Sequence, residues 1–157
     1  MLSFMNNQSD TKTYRAGAAD PRRALHVLEQ MYDAYLDSDS DNIDALLAPD
    51  ITIFDSAHSE LIVGLDDLEQ VRQLRPKIPN GVSETKLTMS NCHVFDKGDD
   101  LLAAYWLQVD YEDSDGRALT PELSRNSAWL RQRDGSWKVT HLHEDVWQQG
   151  GETISAE

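Results

Sequence analysis

The spacing of apolar residues changes along the chain, and each spacing predicts one kind of element. Near the start, the segment AADPRRALHVLEQMYDAYL has apolar residues every three or four positions, as on the buried side of a helix. Asp20 and Pro21 suit the N-cap and the first helical residue. The residues predicted to form the buried stripe of this helix are Leu25, Leu28, Met31, Tyr32 and Tyr35.

Further elements follow from the same patterns. A short helix is predicted in NIDALLAPD, strands in ITIFD and ELIVG, and a third helix in LDDLEQVRQL. From residue 85 to 147, alternating segments predict four long strands joined by turns at Lys97-Gly98, DSDG and Asp134-Gly135. Helices followed by an antiparallel meander predict an α+β fold, with the helices on one face of a bent sheet.

The domain organisation is simple. Residues 1–19 are polar and aperiodic and predict an N-terminal tail, residues 20–148 predict one domain, and residues 149–157 predict a C-terminal tail. No repeat or internal boundary divides the central region.

Charge and cysteine content narrow the function classes. The 157 residues carry a formal net charge of −14, which repels nucleic acid and anionic membranes as partners. Cys92 is the only cysteine, so neither an internal disulfide nor a cysteine-based zinc cluster is expected. No signal peptide or bilayer-spanning segment is evident, and we expect a cytoplasmic protein.

The last hairpin predicts which side chains share a face. A turn at Asp134-Gly135 predicts the following pairs: Arg133 with Ser136, Leu130 with Val139, Ala128 with His141, and Asn126 with His143. Because the face with Val139 and Leu130 is the more apolar, it should be the inner one, and both histidines should point inward. Glu144 should then point outward, where Arg125 can pair with it.

The strand ITIFD is interpreted in the same way. Ile51, Ile53 and Asp55 alternate with Thr52 and Phe54, so the Asp55 carboxylate should lie on the inner side with the isoleucines. A carboxylate in that position needs a donor, water or a raised pKa.

Two segments carry a resemblance to a known family. LLAPDITIFDSAHSELIVGLDDL and RQRDGSWKVTHLHEDVW, with the first helix, resemble the nuclear transport factor 2-like superfamily, especially its SnoaL-like and ketosteroid isomerase-like branches. The resemblance spans about residues 21–148. It implies a cone in which N-terminal helices pack in a strongly curved, mostly antiparallel sheet around a deep apolar pocket, often in homodimers.

The resemblance also implies roles for residues. Ketosteroid isomerases carry their proton-shuttling aspartate at the end of the first strand, where this chain has Asp55, and an oxyanion-donating tyrosine on the first helix, where it has Tyr32 and Tyr35. Where those enzymes use a protonated aspartate on the penultimate strand, this chain has Asn126, Ser127 and Ala128, and an amide or hydroxyl could donate in its place.

These considerations predict a pocket for a small apolar carbonyl compound. General acid–base chemistry there would be isomerisation, dehydration or cyclisation, with His141 or His143 returning the proton. The catalytic candidates are Asp55, His141, His143, Tyr32 and Asn126. The residues predicted to contact the ligand are Tyr35, His58, Tyr105, Ala128, Leu130 and Val139.

Two alternatives remain open. One is a non-catalytic ligand-binding or dimerisation module of the same fold. The other is a metal-dependent enzyme, because two histidines at i and i+2 on a strand can ligate one ion. No third ligand stands at a diagnostic spacing, so neither a metal nor another cofactor is predicted.

Apolar residues on the outer sheet face, namely Trp106, Trp129 and Leu142, predict a homodimer interface.

Overall fold

The computed structural model describes residues 4–6, 11–14, 20–75 and 80–151. The helices are α1 (Arg22–Leu36), α2 (Ser40–Ala45) and α3 (Gly64–Leu74). The strands are β1 (Phe4–Asn6), β2 (Lys12–Tyr14), β3 (Leu47–Phe54), β4 (Ile62–Val63), β5 (Ser83–Asp96), β6 (Asp100–Glu112), β7 (Glu122–Arg133) and β8 (Ser136–Gln148).

All these strands belong to one curled, open sheet. Its order is β1-β5-β6-β7-β8-β3-β4, and β2 also pairs with β5. The four long strands form an antiparallel meander, whereas β3 joins β8 in parallel and β1 and β2 join β5 in parallel. The α+β prediction is confirmed, with three helices and a mixed sheet.

The helix starts follow local capping chemistry. The α1 helix begins at Arg22, whose backbone N–H donates to the Asp20 carboxylate at 3.0 Å. The N-cap of α1 is Pro21, one residue after the predicted Asp20, whereas α2 has Asp39 at its N-cap, which accepts from the Asn42 backbone N–H at 3.2 Å. The fully buried Leu25 and Leu28 then fix the face of α1 that packs into the sheet.

Parts of the predicted tails are also placed. Residues 4–6 and 12–14 extend the sheet beside β5, so this part of the N-terminal tail is strand. The other residues of 1–19, apart from residue 11, lie outside the described ranges, as do residues 152–157. In the described part of the chain, no helix has the length and apolarity to cross a bilayer.

Bulges interrupt the alternation of the long strands. In β5 the register with β6 shifts between Ser90 and His93, and Asn91 has a φ of +49°. Consequently Met89 and Cys92 are both buried, and His93 lies on the opposite face from Met89. Such bulges bend the strand and increase its twist, which helps the sheet to curl around α1.

Candidate active site in the concave cavity

A cavity of about 780 Å³ lies between the concave face of the sheet and the three helices. Its volume lies in the range of small-molecule sites. One part of the wall is apolar and includes Met31, Leu36, Ile53, Leu87, Leu107 and Val109. Another part is polar and contains four carboxylates: Asp55, Glu84, Glu122 and Glu144.

A bulge in β8 decides which residues of the last hairpin reach this cavity. The predicted pairs Arg133 with Ser136 and Leu130 with Val139 are confirmed, but Trp129 then pairs with His141. Thr140 is therefore an extra residue, and the two faces exchange after it.

The exchange places Leu142 and Glu144 in the cavity wall. The predictions that both histidines face inward and that Glu144 faces outward are therefore wrong. Leu142 is likewise not part of the outer face.

The histidines lie on the convex face of the sheet. His141 Nδ1 is 2.7 Å from Thr52 Oγ1, and the Phe54 ring lies 6.4 Å from the His141 ring and 5.4 Å from that of His143. Partial burial, and then the charge of His143, lower the pKa of His141. Because neither imidazole lines the cavity, neither can exchange a proton with a molecule bound there.

Arg125 also has a different partner from the predicted one. Its side chain pairs with Asp145, with Nε 3.0 Å from Oδ2, because the bulge turns Asp145 rather than Glu144 toward it.

Among the described residues, no group of three or more His, Cys, Asp or Glu side chains has a metal-binding arrangement.

Asp55 is on the inner side, as predicted, and lines the cavity. Both of its carboxylate oxygens are already engaged. Arg75 Nη2 donates to Oδ1 at 2.7 Å, and the Ala57 backbone N–H donates to Oδ2 at 3.0 Å. Because both oxygens already accept hydrogen bonds, Asp55 is a weaker candidate for the catalytic base than its position suggests.

The tyrosines predicted on α1 both line the cavity but are also engaged. The Tyr32 hydroxyl lies 2.5 Å from that of Tyr105, and both groups are buried. Burial, followed by the interaction with Tyr105, raises the pKa of Tyr32. Tyr35 is at the mouth, where its hydroxyl donates to Glu84 Oε1 at 3.0 Å.

Asn126 lies on the inner face of β7, between Tyr105 and Glu144 on the neighbouring strands. It is 4% exposed, and its Nδ2 donates to Ser124 Oγ at 2.9 Å. Its Oδ1 is buried without a hydrogen-bond partner among the described residues. The amide is thus held behind the cavity wall rather than on it.

Several residues predicted to contact the ligand do not line the cavity. Ala128, Leu130 and Val139 are fully buried in the hydrophobic core. His58 follows β3 in a loop, half-buried, and Tyr105 lies behind Tyr32. None of these five residues is in the wall of this cavity, and their predicted role in ligand binding stays a prediction.

Glu122 is one of the cavity carboxylates that the sequence interpretation missed. It makes no side-chain hydrogen bond to the other described residues. Burial, and then the charges of Glu144, Glu84 and Asp55, raise its pKa to about 7 from an ordinary 4.5. Such a carboxyl exchanges its proton near neutral pH, as a general acid–base requires. Extending the β7 alternation back from Asn126 through Ser124 would have placed Glu122 on the inner face.

Comparison with known proteins agrees with this architecture. The family model described as SnoaL-like domain matches residues 24–146. No curated protein is significantly similar to the sequence. Similar solved structures include the CaMKII hub of S. rosetta, with 19% identity over 83% of this chain and 99% of that chain and a TM-score of 0.66.

Two bacterial structures are also similar in fold. An NTF2-like protein from Pseudomonas putida has 20% identity over 80% of this chain and 84% of its own, with a TM-score of 0.63. A ketosteroid isomerase-like protein from Erwinia carotovora atroseptica has 15% identity over 83% of this chain and 100% of its own, also with a TM-score of 0.63. Because the SnoaL-like model spans most of the sequence and the fold is that of NTF2-like proteins, the chain belongs to the SnoaL-like family.

Proposed function

We propose that this protein is a small-molecule enzyme whose cavity performs general acid–base chemistry, with Glu122 as the group that takes and returns the proton. The observation that carries this proposal is the placement of Glu122. Its carboxyl lies in the wall of a cavity of about 780 Å³ and has no hydrogen-bond donor among the described residues. With a pKa of about 7, the Glu122 carboxyl can both remove a proton from a bound molecule and return it at neutral pH.

The reaction class follows from the neighbouring groups. Glu122 would remove a proton from a carbon next to a carbonyl, and the same carboxyl would return it elsewhere on the molecule. The Tyr111 hydroxyl would donate to the oxygen that gains charge, because the hydroxyls of Tyr35 and Tyr32 are engaged with Glu84 and Tyr105. Isomerisation, dehydration and cyclisation all begin with this step, and the apolar wall favours a compound with an apolar body.

The test uses 5-nitrobenzisoxazole, a small apolar probe with an acidic C–H. A base removes that proton, the N–O bond breaks, and the resulting cyano-nitrophenolate is followed by its absorbance. We expect turnover that rises with pH through about 7, and a fall of about 100-fold or more in E122Q. The matched control is E112Q, because Glu112 is exposed at the end of the neighbouring strand. Equal rates for E122Q and the wild type would refute the role of Glu122.

A non-catalytic binding module is the second candidate, and the engagement of Asp55 favours it. The ion pair with Arg75 occupies the carboxylate that ketosteroid isomerase-like chemistry would use. In this case the probe would bind, as shown by calorimetry, without turnover in the wild-type protein.

We also propose that two copies pair through the outer sheet face. Trp147 is 64% exposed there, it contacts Trp106 edge-on, and the Arg125 guanidinium lies 4.6 Å from the centre of its ring. The similar structures named as a CaMKII hub and as the association domain of C. elegans CaMKII support self-association through this fold.

Sedimentation equilibrium tests the pairing. We expect twice the 17.8 kDa of one chain for the wild type and the mass of one chain for W147D. L74D is the control, because Leu74 is 79% exposed on α3, away from this face. A single-chain mass for the wild-type protein would exclude the pairing.

A further inference from the structure

We propose that Gly150 is a positioning residue for the acid–base site, because its backbone lies directly against Glu122 and Tyr111. This inference rests on the proposed function, in which Glu122 exchanges the proton and Tyr111 donates to the oxygen that gains charge. It follows from the path of the chain after β8 and from the space around Gly150.

The chain leaves β8 alongside the residues that lead into β7. The side-chain Nε2 of Gln148 donates to the Pro121 carbonyl oxygen at 2.8 Å. The Gly151 backbone N–H donates to the Thr120 carbonyl oxygen, also at 2.8 Å. These two hydrogen bonds, one before and one after Gly150, hold this part of the chain against the start of β7.

Gly150 has no room for a side chain. A Cβ atom built on it would lie 2.5 Å from the Glu122 backbone nitrogen and 2.8 Å from Tyr111 Cε2. Non-bonded heavy atoms are most stable about 3.5–4.0 Å apart, so even a methyl group requires these neighbours to move. Gly150 does not have a left-handed φ. Space, rather than backbone conformation, therefore requires glycine at this position.

The two neighbours of Gly150 are the two groups that the proposed reaction uses. Val109 of β6 pairs with Glu122 of β7, and Tyr111 lies two residues along β6 from Val109, so all three side chains face the cavity. A side chain at residue 150 would displace the Tyr111 ring and the Glu122 backbone and admit water between them. Because burial is the largest cause of the raised Glu122 pKa, that pKa should then fall.

The test is the pH dependence of 5-nitrobenzisoxazole turnover in G150A. We expect kcat/KM to fall about tenfold or more, because a small displacement of a catalytic group slows the reaction strongly. We also expect the midpoint of the pH profile to move from about 7 toward 4.5, by about half a unit or more. The carboxylates whose charges raise the Glu122 pKa, namely Glu144, Glu84 and Asp55, are unchanged in G150A. A moved midpoint therefore reports the displacement of Glu122.

G98A is the matched control, since it strains the backbone without touching the site. Gly98 has a φ of +87° in the turn between β5 and β6, and among the described residues beyond its chain neighbours no atom lies within 4 Å of a Cβ built there. G98A should keep the wild-type rate and midpoint.

Q148A is the second variant, because it removes the hydrogen bond to Pro121 without adding an atom. It should move the midpoint in the same direction as G150A by a smaller amount. Circular dichroism shows whether each variant is folded, and Q148A decides the question if G150A is not. An unchanged midpoint in folded G150A, or in Q148A where G150A is unfolded, would overturn the inference, as would an equal shift in G98A.

Failure of the inference can be separated from failure of the proposed function. Turnover that depends on Glu122 and is unaltered in G150A would overturn the positioning role alone. If the wild type does not turn over the probe, the proposed function fails, and carbon-13 NMR titration of the Glu122 carboxyl still tests the role of Gly150. A lower Glu122 pKa in G150A than in the wild type would support that role, and an equal pKa would overturn it.

Discussion

Replacing Glu122 by glutamine should stabilise the protein, and only above a defined pH. The Glu122 pKa is raised from 4.5 to about 7 in the folded chain, so folding favours the protonated carboxyl. Below pH 4.5 both states bind the proton, and Glu122 does not oppose folding. Between pH 4.5 and 7 the unfolded chain releases this proton while the folded chain keeps it, so stability falls as the pH rises, and the loss is complete once the pH has passed 7.

The size of this effect follows from the same shift. Full conversion of the shift into free energy gives about 3 kcal/mol above pH 7. Because Glu122 is only partly buried, solvent screening reduces the expected gain in E122Q to about 1–2 kcal/mol at pH 8. At pH 5, which is only half a unit above the unfolded pKa, the gain should be about a quarter of its value at pH 8.

Urea unfolding of the wild type, E122Q and E112Q at both pH values measures the difference. The E112Q variant should match the wild type at each pH within about 0.5 kcal/mol, because Glu112 is exposed. If E122Q were destabilised at pH 8, or if its effect were equal at the two pH values, the electrostatic account of Glu122 would be refuted.

Two further predictions concern the faces and the core of the cone. L142A should lower the free energy of unfolding by about 1–2 kcal/mol, because Leu142 packs against the core. H143A should lower it by less than about 0.5 kcal/mol, because His143 is exposed. Urea unfolding measures both values, and a larger loss in H143A than in L142A would contradict the observed register. Y32F should lower the free energy of unfolding by about 1–2 kcal/mol, because the buried Tyr105 hydroxyl loses its partner. The double variant Y32F/Y105F should recover part of that loss. If the effects of Y32F and Y105F on the free energy of unfolding were strictly additive, the two hydroxyls would not interact.

The sequence predicted the architecture well because the segments between the bulges are long enough for their alternation to identify each strand. The alternation of Ile51, Ile53 and Asp55 continues without a bulge to the end of β3, so Asp55 was correctly placed on the inner face. The Asp134-Gly135 turn likewise predicted the pairing of Leu130 with Val139. A strand pattern anchored at a turn is reliable as far as the first irregularity.

The candidate site was predicted less well, because bulges leave little trace in a single sequence. Thr140 is an ordinary strand residue, and nothing in its identity marks the added position. The inward position of Glu84 was missed for the same reason, because the register of β5 with β6 shifts between Glu84 and Lys86. The ion pair of Asp55 could not be predicted either, because Arg75 reaches it from the C-cap of α3, whose position depends on the whole fold.

The bulge at Thr140 connects the shape of the sheet with the chemistry of the cavity. An extra residue bends β8, as a sheet that curls around a helix requires, and it also brings both Val139 and Leu142 to the inner side. The next inward position is Glu144, whose charge is the largest electrostatic contribution to the raised pKa of Glu122. In a regular strand, two imidazoles would face the cavity, and Glu144 would pair with Arg125 outside. The same bulge in the backbone therefore explains why the carboxylates lie inside the cone and why the histidines lie beside Phe54 outside it.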